Sequence, residues 1–160
     1  MIRKAQFHNC PAMLALINAE AAHGNMLPKT IEQLHESLGS FFVAEETDQI
    51  VGCCGYKVWR VSQGDLVEII SLAVDHNFRG FGIGSALVEI CIADAVAKGY
   101  RQFFALTVHQ GRFFERIGFV HILQSDLPEK IWEDCVTCPK NFPEHHGKCC
   151  QEITYKLALR

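Results

Sequence analysis

Three groups of residues in this sequence have types and spacing that could do chemistry. The first lies in EIISLAVDHNFRGFGIGSALV, residues 68–88, where an apolar run passes through a polar turn into Gly80, Gly82 and Gly84 and opens directly into an amphipathic stretch. Glycines there let the backbone come close to a ligand. The unpaired N–H groups and positive dipole end of the helix that follows favour a phosphate, and Arg79 adds a formal charge. The second is Glu68, a carboxylate in the middle of an otherwise apolar strand, where desolvation raises the pKa towards the range of a useful general base. Pointing outward from a sheet, it would instead be an ordinary solvated side chain. The third is a cysteine-rich segment: Cys135 and Cys138 form a C-x-x-C pair, followed after a Pro-containing loop by His145, His146, Cys149 and Cys150. These soft ligands suit a tetrahedral structural zinc, with Cys135, Cys138, Cys149 and Cys150 as its metal set; a reduced structural loop and a reversible disulfide are the other readings.

Three phosphate-binding patterns compete for the glycine segment, and spacing removes two. A Walker loop needs Lys-Ser/Thr after its last glycine, but Gly84 is followed by Ser85 and Ala86. A dinucleotide fingerprint opening at Gly80 needs glycine at position 85, which is serine, and a parallel βαβ setting that the preceding strands do not provide. What remains is Arg-x-x-Gly-x-Gly after a strand, at Arg79, Gly82 and Gly84. It resembles the pyrophosphate-binding motif of the GNAT acyltransferase superfamily, whose members bind acyl-coenzyme A. The resemblance implies an α+β GNAT fold, with a central mixed, mostly antiparallel sheet flanked by helices. It also implies a site for acetyl-CoA as co-substrate. The backbone of Leu72, Ala73 and Val74 would pair with the pantetheine arm, and amides around Gly80, from Phe81 through Gly82, Ile83 and Gly84 to Ser85, would hold the pyrophosphate. A glycine-rich strand-to-helix turn can also be no more than tight packing.

FFERIGF, residues 113–119, resembles the family segment in which a short helix runs into a late strand. Many members carry a tyrosine where this chain has Phe114, so the hydroxyl that can protonate the departing thiolate is missing; a thiol of pKa about 8.5 still leaves tolerably as its anion. GNMLPKT, VEIISLAV, FALT and DLPEKIWEDCVTCPK, spread over nearly the whole chain, look like the short form of N-acetylglutamate synthase. That resemblance implies transfer of acetyl to the α-amino group of L-glutamate, the first step of arginine biosynthesis, with Glu68 as base and Thr107 as acid. A dicarboxylate acceptor needs fixed cations. Lys29 is one candidate, standing where the family often has arginine and replacing a bidentate fork by a point charge; Arg112 and Lys130 are others, and each also reads as a solvated surface charge. Two alternatives stay open: acetylation of another small amine or a protein N-terminus, and a coenzyme-binding module without catalysis.

These residues need elements to position them. Ile2–Phe7 reads as a first strand, and Pro11 opens a helix ended by Gly24. Thr30 and Gln33 form a capping box for a second helix closed by Gly39. FFVAEE, QIVGCCGYKVW and LVEIISLAV then read as three antiparallel strands. Residues 82–97 return to helical spacing, 102–108 to a strand, 111–117 to a short helix, and the alternation from Ile153 to Leu159 to a last, half-buried strand. The 160 residues, 49% hydrophobic and 21% charged, are expected to fold as one domain with a Cys-rich loop at 127–150. A net charge of −3 argues against nucleic acid or an anionic membrane as partner. The first residues lack the apolar stretch of a secretory signal, so the reading is cytoplasmic. Cys10, Cys53, Cys54 and Cys91 lie in apolar runs and read as small buried hydrophobes. Sheet edges would suit a second copy of the chain, making a homodimer a possible assembly.

Overall fold

Strand alternation sets the frame. The structure, a computed structural model, describes residues 1–132 and 153–159. In chain order β1 (Ile2–Lys4), β2 (Phe41–Glu46), β3 (Gln49–Trp59) and β4 (Leu66–Val74) pair antiparallel. The β2–β3 connection is a two-residue turn in which Thr47 and Asp48 both take positive φ, the geometry that matches the twist of a hairpin. β5 (Gln102–Thr107) lies parallel to β4, and β7 (Ile153–Ala158) inserts antiparallel between β5 and β6 (Val120–Ile122). The order among the described residues is β1-β2-β3-β4-β5-β7-β6, with β4–β5 the one parallel pair. This is the mixed, mostly antiparallel sheet that the resemblance implies. The first strand is shorter than its sequence suggested: it stops at Lys4, because Asn9 Oδ1 accepts the Gln6 N–H at 2.9 Å and turns the chain into a 3-10 helix over Phe7–Asn9.

Helices cover both faces of the sheet. α1 (Cys10–Ala22) begins with Pro11 in its first turn, where a missing N–H is harmless, and α2 (Ile31–Ser37) begins at the Thr30–Gln33 capping box, both of whose bonds form. Met13 and Ile17 of α1 and Leu34 of α2 pack with Phe41, Val43, Cys53 and Ala73. Gly39 does not close α2 in the left-handed region; it sits in a 3-10 turn, Leu38–Ser40, that hands the chain straight to β2. On the opposite face α3 (Ile83–Ala97) and α4 (Gly111–Arg116) pack Leu87, Val88, Cys91, Ala95 and Phe114 against Phe42, Val67, Ile69, Phe103 and Tyr155. A third cluster returns to the α1 face: Leu127 and Ile131, the latter in α5 (Glu129–Trp132), cover Leu66 and Phe104. Helix α3 is also tied to β3 by polar contacts: the Tyr56 hydroxyl donates to Asp94 Oδ2 at 2.6 Å and accepts from Lys98 Nζ at 2.6 Å.

Cys10, Cys53, Cys54 and Cys91 are buried and unpaired thiols, as expected of small hydrophobes. Burial pushes the Cys53 thiol up to about 12. No helix among the described residues is long and apolar enough to cross a membrane.

Candidate functional site

The sheet opens where β4 and β5 part. The two strands are in register only at Val67–Phe103 and Glu68–Phe104, although β4 continues to Val74 and β5 to Thr107. Beyond Glu68 they diverge, and the edges that the two strands turn towards each other have no ladder partner across the gap. The gap forms part of a cavity of about 690 Å³, lined by Ile69, Ser71, Leu72, Ala73 and Val74 on one wall, Leu106 and Thr107 on the other, and Gly80, Gly82, Ile83, Gly84 and Ser85 at one end.

A bulge adds to the irregularity of β4. Gly55 faces Ile70 and Cys53 faces Ala73, so two residues, Ser71 and Leu72, stand opposite the single Cys54. Ser71 takes φ 55°, an uncommon conformation for a residue with a side chain. The bulge shifts the strand's alternation by one: Ile69 belongs to the α3 face and Ile70 to the α1 face, but it is then Leu72 that returns to the α3 face. Past the end of β4, Gly80 and Gly82 take φ 85° and 82°, and a Cβ at either would meet nothing within 4 Å. Glycine is therefore required there by backbone conformation, not by crowding. Gly82 caps α3, a fifteen-residue helix, and delivers its first amides to the cavity end. Arg79 reaches back along the same wall: its Nε donates to the Val74 carbonyl at 3.0 Å, and its guanidinium pairs with Glu20 of α1.

Glu68 belongs to the other face. It is half-buried, points to the α1 side between the cluster under α1 and α2 and the cluster under Leu127 and Ile131, and accepts a hydrogen bond from the Trp59 indole at 3.0 Å. Lys57 stands directly opposite it on β3, its ammonium 3.9 Å from the centroid of the Trp59 ring. Lys29, half-buried in the segment leading into α2, completes the group. Its backbone is pinned by Asn18 of α1, whose side chain accepts the Lys29 N–H at 3.2 Å and donates to the Lys29 carbonyl at 3.5 Å. Burial lowers the Lys29 ammonium below the ordinary lysine range, with Glu68 opposing the shift and the like charge of Lys57 adding to it.

Of the other residues singled out by sequence, Thr107 is buried, lines the cavity and accepts the Gln110 N–H at 2.9 Å. Phe114 is buried at the cavity wall in edge contact with Phe113 and Phe119. The Phe81 side chain is 79% exposed and turns away from the cavity. Arg112 is exposed and outside the cavity lining, whereas Arg116, one turn further along α4, is part of it. Lys130 donates to the Arg60 carbonyl at 2.8 Å, beyond the end of β3. Cys135, Cys138, Cys149 and Cys150 lie outside the described residues; among the described residues no group of three or more His, Cys, Asp or Glu is placed to hold a metal. Sequence reasoning missed Ser71, Lys57, Trp59, Asn18 and Arg116. Lys57 and Trp59 could have been found by counting strand alternation on both sides of the β3–β4 turn; the bulge at Ser71 has no glycine or proline in LVEIISLAV to mark it.

Comparison with known proteins agrees with this geometry. Residues 10–119 match the acetyltransferase (GNAT) family. An uncharacterized N-acetyltransferase of Chlorobaculum tepidum is 37% identical over 158 residues, covering 99% of this chain and 96% of that protein. An amino-acid acetyltransferase of Mycobacterium tuberculosis is 31% identical over 138 residues, 84% of this chain and 76% of that one. The N-acetylglutamate synthase of Neisseria gonorrhoeae, solved with coenzyme A and N-acetyl-glutamate, superposes with a TM-score of 0.84 at 26% identity over 100% of this chain. This chain spans only 35% of that longer one. With the split sheet, the glycine cradle and these relatives in hand, the chain belongs to the acetyltransferase (GNAT) family and is an acetyl-CoA N-acetyltransferase of the GNAT type.

Proposed function

We propose that this acetyltransferase acetylates the α-amino group of an amino acid, L-glutamate before others, and so serves the first step of arginine biosynthesis. One observation carries the reading: Glu68 faces the α1 side at the point where β4 and β5 separate, with the cations Lys29 and Lys57 around it. The cavity runs through the split, lined by Glu20, Asn25 and Met26 on the α1 side as well as by Ile83 and Phe113 on the α3 side, and suits the coenzyme; Glu68 and its cations on the α1 side suit the acceptor, so the two substrates would meet at the gap between the strands. An amino-acid acetyltransferase and an N-acetylglutamate synthase among the similar proteins support the choice of acceptor.

In this reading the amides at the start of α3 hold the pyrophosphate, and Leu72, Ala73 and Val74 supply ladder groups to the pantetheine arm in place of the missing β5 pairing. Arg79 would exchange Glu20 for phosphate, and Arg116 adds a second charge at the cavity. The extra residue of the Ser71–Leu72 bulge frees backbone N–H groups from the ladder, which suits them to polarise the thioester carbonyl. Glu68 takes a proton from the acceptor ammonium, directly or through one water. The neutral amine then attacks the carbonyl carbon, a C–N bond forms, the C–S bond breaks, and the thiolate leaves towards Thr107, whose hydroxyl can give it a proton. Lys29 holds the α-carboxylate. No residue of the chain is acylated on the way.

The test is release of free coenzyme A from acetyl-CoA with glutamate, aspartate, glutamine, ornithine and a polyamine offered in parallel. Turnover strongest with glutamate supports the reading. Turnover confined to a polyamine or a peptide N-terminus replaces the acceptor, and acetyl-CoA binding without turnover for any amine removes the activity.

A further inference from the structure

We propose that Lys57 is a specificity-determining residue of the acceptor site, taking the side-chain carboxylate of an acidic amino acid whose α-amino group lies at Glu68. This rests on the amino-acid reading above and adds to it the group that tells an acid from its amide.

Charge counting leads there. An acceptor ammonium delivered to Glu68 satisfies that carboxylate, and the α-carboxylate satisfies Lys29. Lys57 is then a surplus cation on the same patch of sheet, and it acts on Lys29 through its like charge. Crowding two ammonium groups around one carboxylate is unfavourable unless the ligand brings a second negative charge. An amino acid with a neutral side chain does not; a dicarboxylate does.

Geometry agrees with the count. The β3–β4 register sets Lys57 across from Glu68, so their side chains leave the same face as immediate neighbours. Lys57 itself is exposed, and its ammonium rests 3.9 Å from the centroid of the Trp59 ring. Trp59 is fixed by donating its indole N–H to Glu68 at 3.0 Å. One indole therefore contacts both groups, its N–H meeting the base and its face the cation. A cation resting on an aromatic face at an exposed site is weakly held, and its flexible stem lets it turn to a ligand carboxylate without breaking a strong contact.

The experiment compares kcat/KM for glutamate with glutamine, and aspartate with asparagine, in the wild type, Lys57→Met and Lys57→Arg. Methionine keeps a stem to pack on Trp59 and removes only the charge. The wild type should prefer the acid of each pair. K57M should lower that preference by about tenfold, mainly by raising KM for the acidic acceptor, with a much smaller change for the amide; K57R should recover part of it. An acid-to-amide ratio that K57M leaves unmoved, or a wild type that prefers the amide, overturns the role of Lys57 while leaving amino-acid acetylation in place. A wild type that acetylates no amino acid overturns the reading beneath it, and this inference with it.

Discussion

Two side chains of the α1 face, Glu68 and Lys29, are positioned by residues that carry no charge. Trp59 fixes the carboxylate, and Asn18 fixes the backbone that carries the lysine. Glu68→Gln preserves the shape and a hydrogen-bonding oxygen but removes the base, so kcat should fall on the order of a hundredfold or more while acetyl-CoA binding, measured by calorimetry, is unchanged. Lys29 makes a prediction of opposite sign for stability and for function. Its ammonium lies below the ordinary lysine range because burial disfavours its charge, so the folded state gives up its proton more readily than the unfolded chain. The charge thus costs stability at neutral pH, and the cost fades as pH rises towards the ordinary lysine range. Lys29→Met should melt no lower than the wild type in a thermal scan while the KM for the amino-acid acceptor rises. Glu20 offers a third test. It holds Arg79 at the cavity end, where a phosphate would compete for the guanidinium. Glu20→Gln should tighten coenzyme A binding several-fold at low salt, with the difference shrinking as salt is added, because screening weakens the contact.

At the scale of elements, what the sequence made legible and what it hid divide by range. β2, β3 and β4 coincide with apolar runs, and the capping box of α2 forms as its residues suggest, because alternation and capping are decided within a few residues. The glycine turn was legible for the same reason: a strand, two left-handed glycines and a helix start are consecutive. The parting of β4 from β5, the bulge at Ser71 and the insertion of β7 between β5 and β6 depend on which strands meet, and nothing local encodes that. Lys29, Glu68 and Lys57 come from three elements, so their neighbourhood appeared only with the register. Gln6 and Asn9 show how a side chain can end a strand that hydrophobicity alone would prolong. The tie between β3 and α3 gives a stability test at this scale. Burial works against the Asp94 charge, but the bonds from Tyr56, Lys98 and Lys4 together outweigh it and hold the carboxyl below its ordinary range. Its contribution is therefore present above the ordinary carboxylate pKa and lost as pH falls through the lowered value. Tyr56→Phe should cost about 1 kcal/mol in urea unfolding at pH 7, with a smaller difference in strong acid.

For the whole molecule, the site lies at a seam. Among the described residues the sheet is continuous on the β1–β4 side and again from β5 through β7 to β6, and the two parts are joined by a short parallel pairing at Val67 and Glu68. A ligand that bonds to both lips would bind the folded protein and not the unfolded chain, stabilising it by about 2.7 kcal/mol at a hundredfold excess over Kd. Acetyl-CoA should accordingly raise the melting temperature far more than free acetate or pantothenate. The buried thiols carry a last consequence of this architecture. Cys54 and Cys91 meet on the α3 face, and Cys53 points to the α1 face with its thiol pushed up to about 12. They are silent towards alkylating reagents for as long as the sheet and its helices stay together. Each is thus a timer for the opening of its own layer, and Cys10, buried on the α1 face, is the α1-side thiol with no cysteine beside it in the chain: if peptide-resolved alkylation marks Cys10 and Cys91 at one common rate, the ligand-free protein comes apart as a unit, and if one runs ahead, that helical layer lifts off first.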